Sequence, residues 1–108
     1  MPFINRNEIE FKTIFTGFDA KFIHSEKLTI AYIEIKEGSI LPTHSHPHEQ
    51  VTQVLSGQLE ITIEGVSQIL EAGLVAVIPS NAAHSGRAVT DCVALDVFTP
   101  VREDFRAL

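Results

Sequence analysis

The sequence holds a single cysteine, Cys92, so no disulfide can form within the chain. Cys92 lies in the apolar run DCVALDVF, where a thiol serves as a small buried hydrophobe and not as a nucleophile. No apolar stretch approaches the ~20 residues a helical membrane span requires, and no membrane partner is expected. Basic residues are scarce: 8 Lys and Arg stand against 14 Asp and Glu, a formal charge of −6. Nucleic acid needs a basic patch, so that class of partner is excluded. A small anion is not excluded, because a metal ion or one well-placed Arg supplies positive charge locally. The opening MPFINRNEIEF lacks the basic-then-apolar form of a signal peptide, which makes the cytoplasm the expected location. Also missing are a sustained helical period, a linker and any break in composition.

What remains is one expected domain over residues 1–108, large enough to bury roughly two thirds of its unfolded surface. Its 44% hydrophobic and 20% charged content is that of a globular protein. Short runs punctuated by Gly and Pro predict strands. Residues 9–16 read as an early strand that shifts phase, and 20–36 as two strands turning near Ser25–Lys27. In the second of these, Thr29, Ala31, Ile33 and Ile35 share a face opposite Leu28, Ile30 and Tyr32. The run VTQVLSGQLEITIEG predicts a hairpin turning at Ser56-Gly57, with Leu59, Ile61 and Ile63 on one face. Strands then follow Gly65 and Gly73, another surrounds His84, and a last one spans 91–99. The tail from Pro100 to Leu108 reads as a helical turn or an irregular arm. Eight or more short strands predict an all-β sandwich or barrel.

Gly38 to Gly57 holds three histidines at alternate positions, His44, His46 and His48, with Gln50 close behind. Alternate residues of an extended chain point the same way, and imidazole is the commonest metal ligand near neutral pH. Two such histidines can reach one ion.

Here the chain resembles the cupin superfamily. The first cupin motif is Gly, five residues, His-x-His, three or four residues, Glu, six residues, Gly; this chain matches it from Gly38 to Gly57 with His44, His46 and Gln50. The second motif is matched by Gly73, Pro79 and His84, with Asn81 where the family has Gly and Ala88 where it has Asn. Asn tolerates positive φ, so Asn81 can make the tight turn. The resemblance implies a single cupin double-stranded β-helix barrel, with its core at about residues 28–99 and a tail at 100–108. It also implies one divalent transition metal held by His44, His46, Gln50 and His84. Zinc, nickel, manganese, iron and copper all suit such a donor set. His48 follows Pro47, which turns its ring off the shared face, and His24 beside a turn is expected to be exposed; neither is a ligand.

In the last strand Cys92, Ala94, Asp96 and Phe98 share a face. An Asp among apolar residues must be exposed, paired or shifted in pKa. Two readings follow: an edge strand with Asp96 in water, or an Asp96 inside the barrel mouth that moves a proton. The segment DVFTPVREDF, together with HSHPHEQ, resembles the KdgF-type cupins, small enzymes of pectin and alginate breakdown. Those enzymes convert 4,5-unsaturated monouronates into open-chain keto acids. The resemblance implies Asp96 as the catalytic acid, Phe98 and Arg102 as substrate-binding residues, and a small anionic sugar or acid as substrate. It also implies a homodimer, for which the apolar second face of the last strand and the early strand offer surface. The family's catalytic Gln has Gln53 as its nearest candidate, but the strand parity of Gln53 is opposite to that of Gln50. Without the resemblance, Arg102 reads as a surface residue paired with Glu103 or Asp104. Two other functions fit a metal cupin: a dioxygenase or isomerase acting on another small acid, and a non-catalytic sugar-binding or sensing protein.

Overall fold

The structure is a computed structural model that describes residues 2–108. Among the described residues the chain forms a 3-10 turn (Arg6–Glu8), ten strands and one short helix. The strands are β1 (Lys12–Phe15), β2 (Phe18–His24), β3 (Thr29–Ile35), β4 (Ile40–His44), β5 (Glu49–Ser56), β6 (Leu59–Ile63), β7 (Val66–Leu70), β8 (Val75–Ile78), β9 (His84–Ala88) and β10 (Cys92–Thr99); the helix is α1 (Glu103–Arg106). They build two antiparallel sheets that close into a cupin barrel. One runs β1-β2-β3-β10-β5-β8 and the other β4-β9-β6-β7.

Alternation of side chains decides which residues enter the core. Thr29, Ala31, Ile33 and Ile35 of β3 are all buried, as are Cys92, Ala94, Asp96 and Phe98 of β10. Leu59 and Ile61 of β6 face them from the other sheet, completing the apolar cluster. Burial pushes the Cys92 thiol up to about 11, which leaves it an inert hydrophobe.

Two expectations need correction. The run VTQVLSGQLEITIEG is not a hairpin, because β5 pairs with β10 and β8 while β6 pairs with β7 and β9. At Gly57 (φ 77°) the chain passes from one sheet to the other. A Cβ there would stand 2.1 Å from the Asp91 carbonyl oxygen and 2.8 Å from Cys92, so the crossing requires glycine. The turn residues therefore marked a change of sheet, which local sequence does not distinguish from a hairpin. The early strand is also shorter than 9–16. It begins at Lys12, and an irregularity in its pairing with β2 between Thr13 and Phe15 produces the shift of phase.

The second cupin turn is as expected. Asn81 takes φ 65°, and its backbone N–H donates to the His46 carbonyl at 2.8 Å. The Ser80 hydroxyl donates to the Pro47 carbonyl, so the loop before β9 is tied to the histidine segment before β5.

Candidate metal centre and pocket

His44 at the end of β4 and His84 at the start of β9 are direct partners across their ladder. His46 reaches them from the segment between β4 and β5. One ring nitrogen from each of the three lies within 4.8 Å of the others. In all three rings Nδ1 faces a backbone carbonyl: Pro42 for His44 at 2.7 Å, His48 for His46 at 3.0 Å, and Ala82 for His84 at 2.9 Å. A carbonyl can only accept, so each Nδ1 carries the proton and each Nε2 presents a lone pair. The Nε2 of His84 is buried with no hydrogen-bond partner among the described residues. Burial, followed by the charges of Arg102 and His84, holds His46 below the ordinary histidine range. Burial also dominates at His84, where the Ala82 carbonyl pulls upward and His44 and Arg102 push down. At His46 and His84 the shift favours the neutral ring that ligation requires.

Gln50 lies beside the three histidines. It is 8% exposed, and its Oε1 stands 3.0 Å from His46 Nε2. Two lone-pair atoms facing each other at hydrogen-bond distance are a poor pairing by themselves and a good one around a cation. These donors fit the metal that the cupin fold implies.

A cavity of about 220 Å³ opens beside these residues, and Asp96, Phe98 and Arg102 all line it. That is smaller than the roughly 300–1,000 Å³ of sites for drug-sized ligands, and it suits one small molecule. Of the two readings of Asp96, the edge strand is excluded, since β10 lies between β3 and β5 at the centre of its sheet. Asp96 is 7% exposed, and its Oδ1 has no partner among the described residues. Burial pushes its carboxyl up to about 6, against the opposing effect of Thr52, Gln50 and Arg102.

Arg102 pairs with Asp104 as one reading expected, but it is buried and not a surface residue. Its Nε and Nη2 donate to the two carboxylate oxygens of Asp104 at 2.9 and 2.7 Å, yet the residue is only 9% exposed and borders the cavity. That hydrogen bonding holds the Asp104 carboxyl below its usual range. The guanidinium carbon lies 3.8 Å from the Phe105 ring centroid and 4.8 Å from that of Phe98. The tail contains a helical turn whose Phe105 lines the pocket. Phe105 stacks on Phe22 at 4.8 Å, and the Arg102 N–H donates to Thr29 Oγ1 at 2.9 Å.

The remaining candidates divide. His48 stays outside the three-histidine group, but its carbonyl orients His46. His24 is not simply exposed: it is half-buried, stacked on Phe22, with Nδ1 2.8 Å from Thr29 Oγ1. Gln53 does not line the cavity, and the residue that does is Thr52, 2% exposed. Thr52 and Phe105 were both missed. Thr52 has the strand parity of Gln50, a signal that could have found it; Phe105 had none beyond being aromatic in an ambiguous tail.

Comparison with known proteins agrees with this geometry. The Cupin domain family matches residues 31–98. The pectin degradation protein KdgF of Dickeya dadantii is 29% identical over 102 residues, covering 92% of this chain and 93% of that protein. Among solved structures, KdgF from Halomonas sp. superposes with a TM-score of 0.90 at 26% identity, covering 97% of this chain and 98% of that one. An RmlC-like cupin from Shewanella frigidimarina gives a TM-score of 0.91 at 27% identity, covering 97% and 96%.

Proposed function

The chain belongs to the cupin family, and on that premise we propose that it is a metal-dependent enzyme that linearises 4,5-unsaturated monouronates from pectin or alginate. The observation that carries this reading is Asp96, a buried carboxyl with an unpaired oxygen in the same cavity as three converging histidines and Arg102. The likeness to KdgF proteins over almost the whole chain supports it.

His44, His46, Gln50 and His84 would hold the divalent ion. When bound, such an ion acts as a Lewis acid toward a sugar oxygen. Because all four donors are neutral, the ion's charge stays undiminished, where a Glu in place of Gln50 would cancel one unit. That favours an anionic substrate.

The reaction is an isomerisation. The anomeric hydroxyl gives up a proton, the bond between anomeric carbon and ring oxygen breaks, the ring oxygen becomes a ketone, and the alkene carbon gains a proton. Asp96 supplies that last proton, and its burial among apolar side chains favours the protonated form that can do so. Arg102 binds the uronate carboxylate through Nη1, the nitrogen that Asp104 leaves free. Phe98 packs against the sugar ring. A second copy of the chain covers the outer face of the larger sheet, where Leu55, Val75 and Val77 are 44%, 54% and 60% exposed. A homodimer in sedimentation at micromolar concentration checks this, and a monomer overturns it.

The test of the activity is addition of purified protein to unsaturated monouronate. The chromophore of the conjugated alkene should disappear, and Asp96→Ala should abolish the loss while metal content stays the same. Tight binding of the uronate without turnover, indifferent to Asp96→Ala, would make the protein a sugar sensor instead. Oxygen consumption with bound iron would make it a dioxygenase.

A further inference from the structure

The two ends of the Gln50 amide are chemically different, and only its oxygen can ligate. Oε1 faces His46 Nε2 at 3.0 Å, and Nε2 donates to the Thr52 hydroxyl at 2.9 Å. Rotating the amide by 180° would let its NH2 group donate to the lone pair of His46 Nε2. That hydrogen bond would be a good one, and it would block the donor cluster with an N–H group. Which end faces the ring is therefore decided by what meets the other end.

Thr52 meets it. Asp96 is its direct cross-strand partner on the inner face of the larger sheet. Both side chains are buried, Thr52 at 2% and Asp96 at 7% exposure, and the Thr52 hydroxyl and the Gln50 amide both act to lower the Asp96 carboxyl against the effect of its burial. A hydroxyl has one proton. Spent on the carboxylate, it leaves only lone pairs toward Gln50, and lone pairs accept from NH2 but repel the amide oxygen.

From this arrangement we infer that Thr52 is a positioning residue for the metal site: it locks the Gln50 amide with its oxygen toward the three histidines. The inference rests on the metal-binding part of the proposed function and not on the substrate. It assigns to Thr52 a role distinct from the ligands, and it places the Thr52 hydroxyl between the Asp96 strand and the Gln50 amide.

The test measures metal affinity directly, by titrating metal-free protein with Co²⁺ in competition with a chelator and following the d–d absorbance. Thr52→Val, close to isosteric, should weaken Co²⁺ binding by about 10- to 100-fold, the usual loss when a residue orienting a ligand is removed. Thr52→Ser, which keeps the hydroxyl, should stay within about threefold of the wild type, a difference below 1 kcal/mol. In a Gln50→Glu background the two carboxylate oxygens are equivalent and there is no amide to lock. There Thr52→Val should change affinity by less than about threefold, within the same limit. If Thr52→Val binds Co²⁺ as tightly as the wild type, or weakens it equally in the Glu background, the lock is wrong. If Thr52→Val does not fold, the contrast is read from Thr52→Cys, whose thiol is a poor acceptor, and an unchanged affinity there overturns the idea. A wild type that binds no metal sinks the metal site itself, which is a separate failure.

Discussion

Along β10 the inward side chains run Cys92, Ala94, Asp96, Phe98, and the strands on either side change character at the same level. Ala94 lies opposite Ile33 and Val54, whereas Asp96 lies opposite Ala31 and Thr52, and Phe98 opposite Thr29 and Gln50. The smaller sheet follows the pattern, with Leu59 and Ala88 paired at one end and Ile63 and His84 at the other. Among the described residues the buried polar or charged side chains are Thr29, Gln50, Thr52, His84, Asp96 and Arg102. All belong to one half of the barrel. The same strands thus build an apolar half that supplies stability and a polar half that concentrates uncompensated groups. Burying such groups is unfavourable, and the packing of the other half offsets it.

The comparison breaks most visibly if the halves are altered one at a time. In the polar half, Asp96→Ala should lower turnover by about 10²–10⁴-fold, the range for removing a general acid, with bound metal per folded molecule unchanged. Steady-state rates beside elemental analysis read both quantities. In the apolar half, Leu70→Ala, away from the cavity lining, should cost about 2–5 kcal/mol of stability, measured by denaturant unfolding. Its folded fraction should keep wild-type metal content and rate. A large loss of rate per folded molecule would show that the two halves are not separate.

A finer prediction concerns what the polar half costs. The folded carboxyl of Asp96 sits at about 6, above its ordinary 3.8, so the native state binds a proton more tightly than the unfolded chain. The contribution of Asp96 to the stability of the metal-free protein should therefore fall as pH rises from 3.8 to about 6, and level off above. Asp96→Asn removes the titration and should stabilise the metal-free protein at pH 8 by roughly 3 kcal/mol, with no gain at pH 3. Urea titrations at the two pH values give the difference. A bound divalent cation lowers the carboxyl, so the same window should move to lower pH in the loaded protein.

The smallest effect lies at the rim. Asp104 is largely exposed and holds the Arg102 fork in place. Asp104→Asn should raise KM about two- to fivefold with little change in kcat, matching the 0–1 kcal/mol of an exposed ion pair.

Much of this was legible in the residues because strand alternation is a local property. The inward faces of β3 and β10 follow from counting by twos, and the glycine spacing picked His44 and His46 out of three histidines. Those are the two that meet His84, while His48 stands apart. What could not be read is what depends on pairing between distant segments. The chain passing between sheets at Gly57, the Thr52–Asp96 partnership and the docking of Phe105 on Phe22 all arise from residues far apart in sequence. The surroundings of His24 belong to the same class, since the hydroxyl of Thr29 that it meets also receives the N–H of Arg102.

The central claim is that the polar half binds a metal and, with it, opens unsaturated uronates. The most direct measurement compares metal-free and metal-reloaded protein, purified without a histidine tag, on unsaturated monouronate, with the bound ion quantified in the same samples. The account predicts loss of the uronate's ultraviolet absorbance only in the reloaded sample, at close to one ion per chain. An unchanged absorbance in both samples, or equal loss without metal, would contradict it.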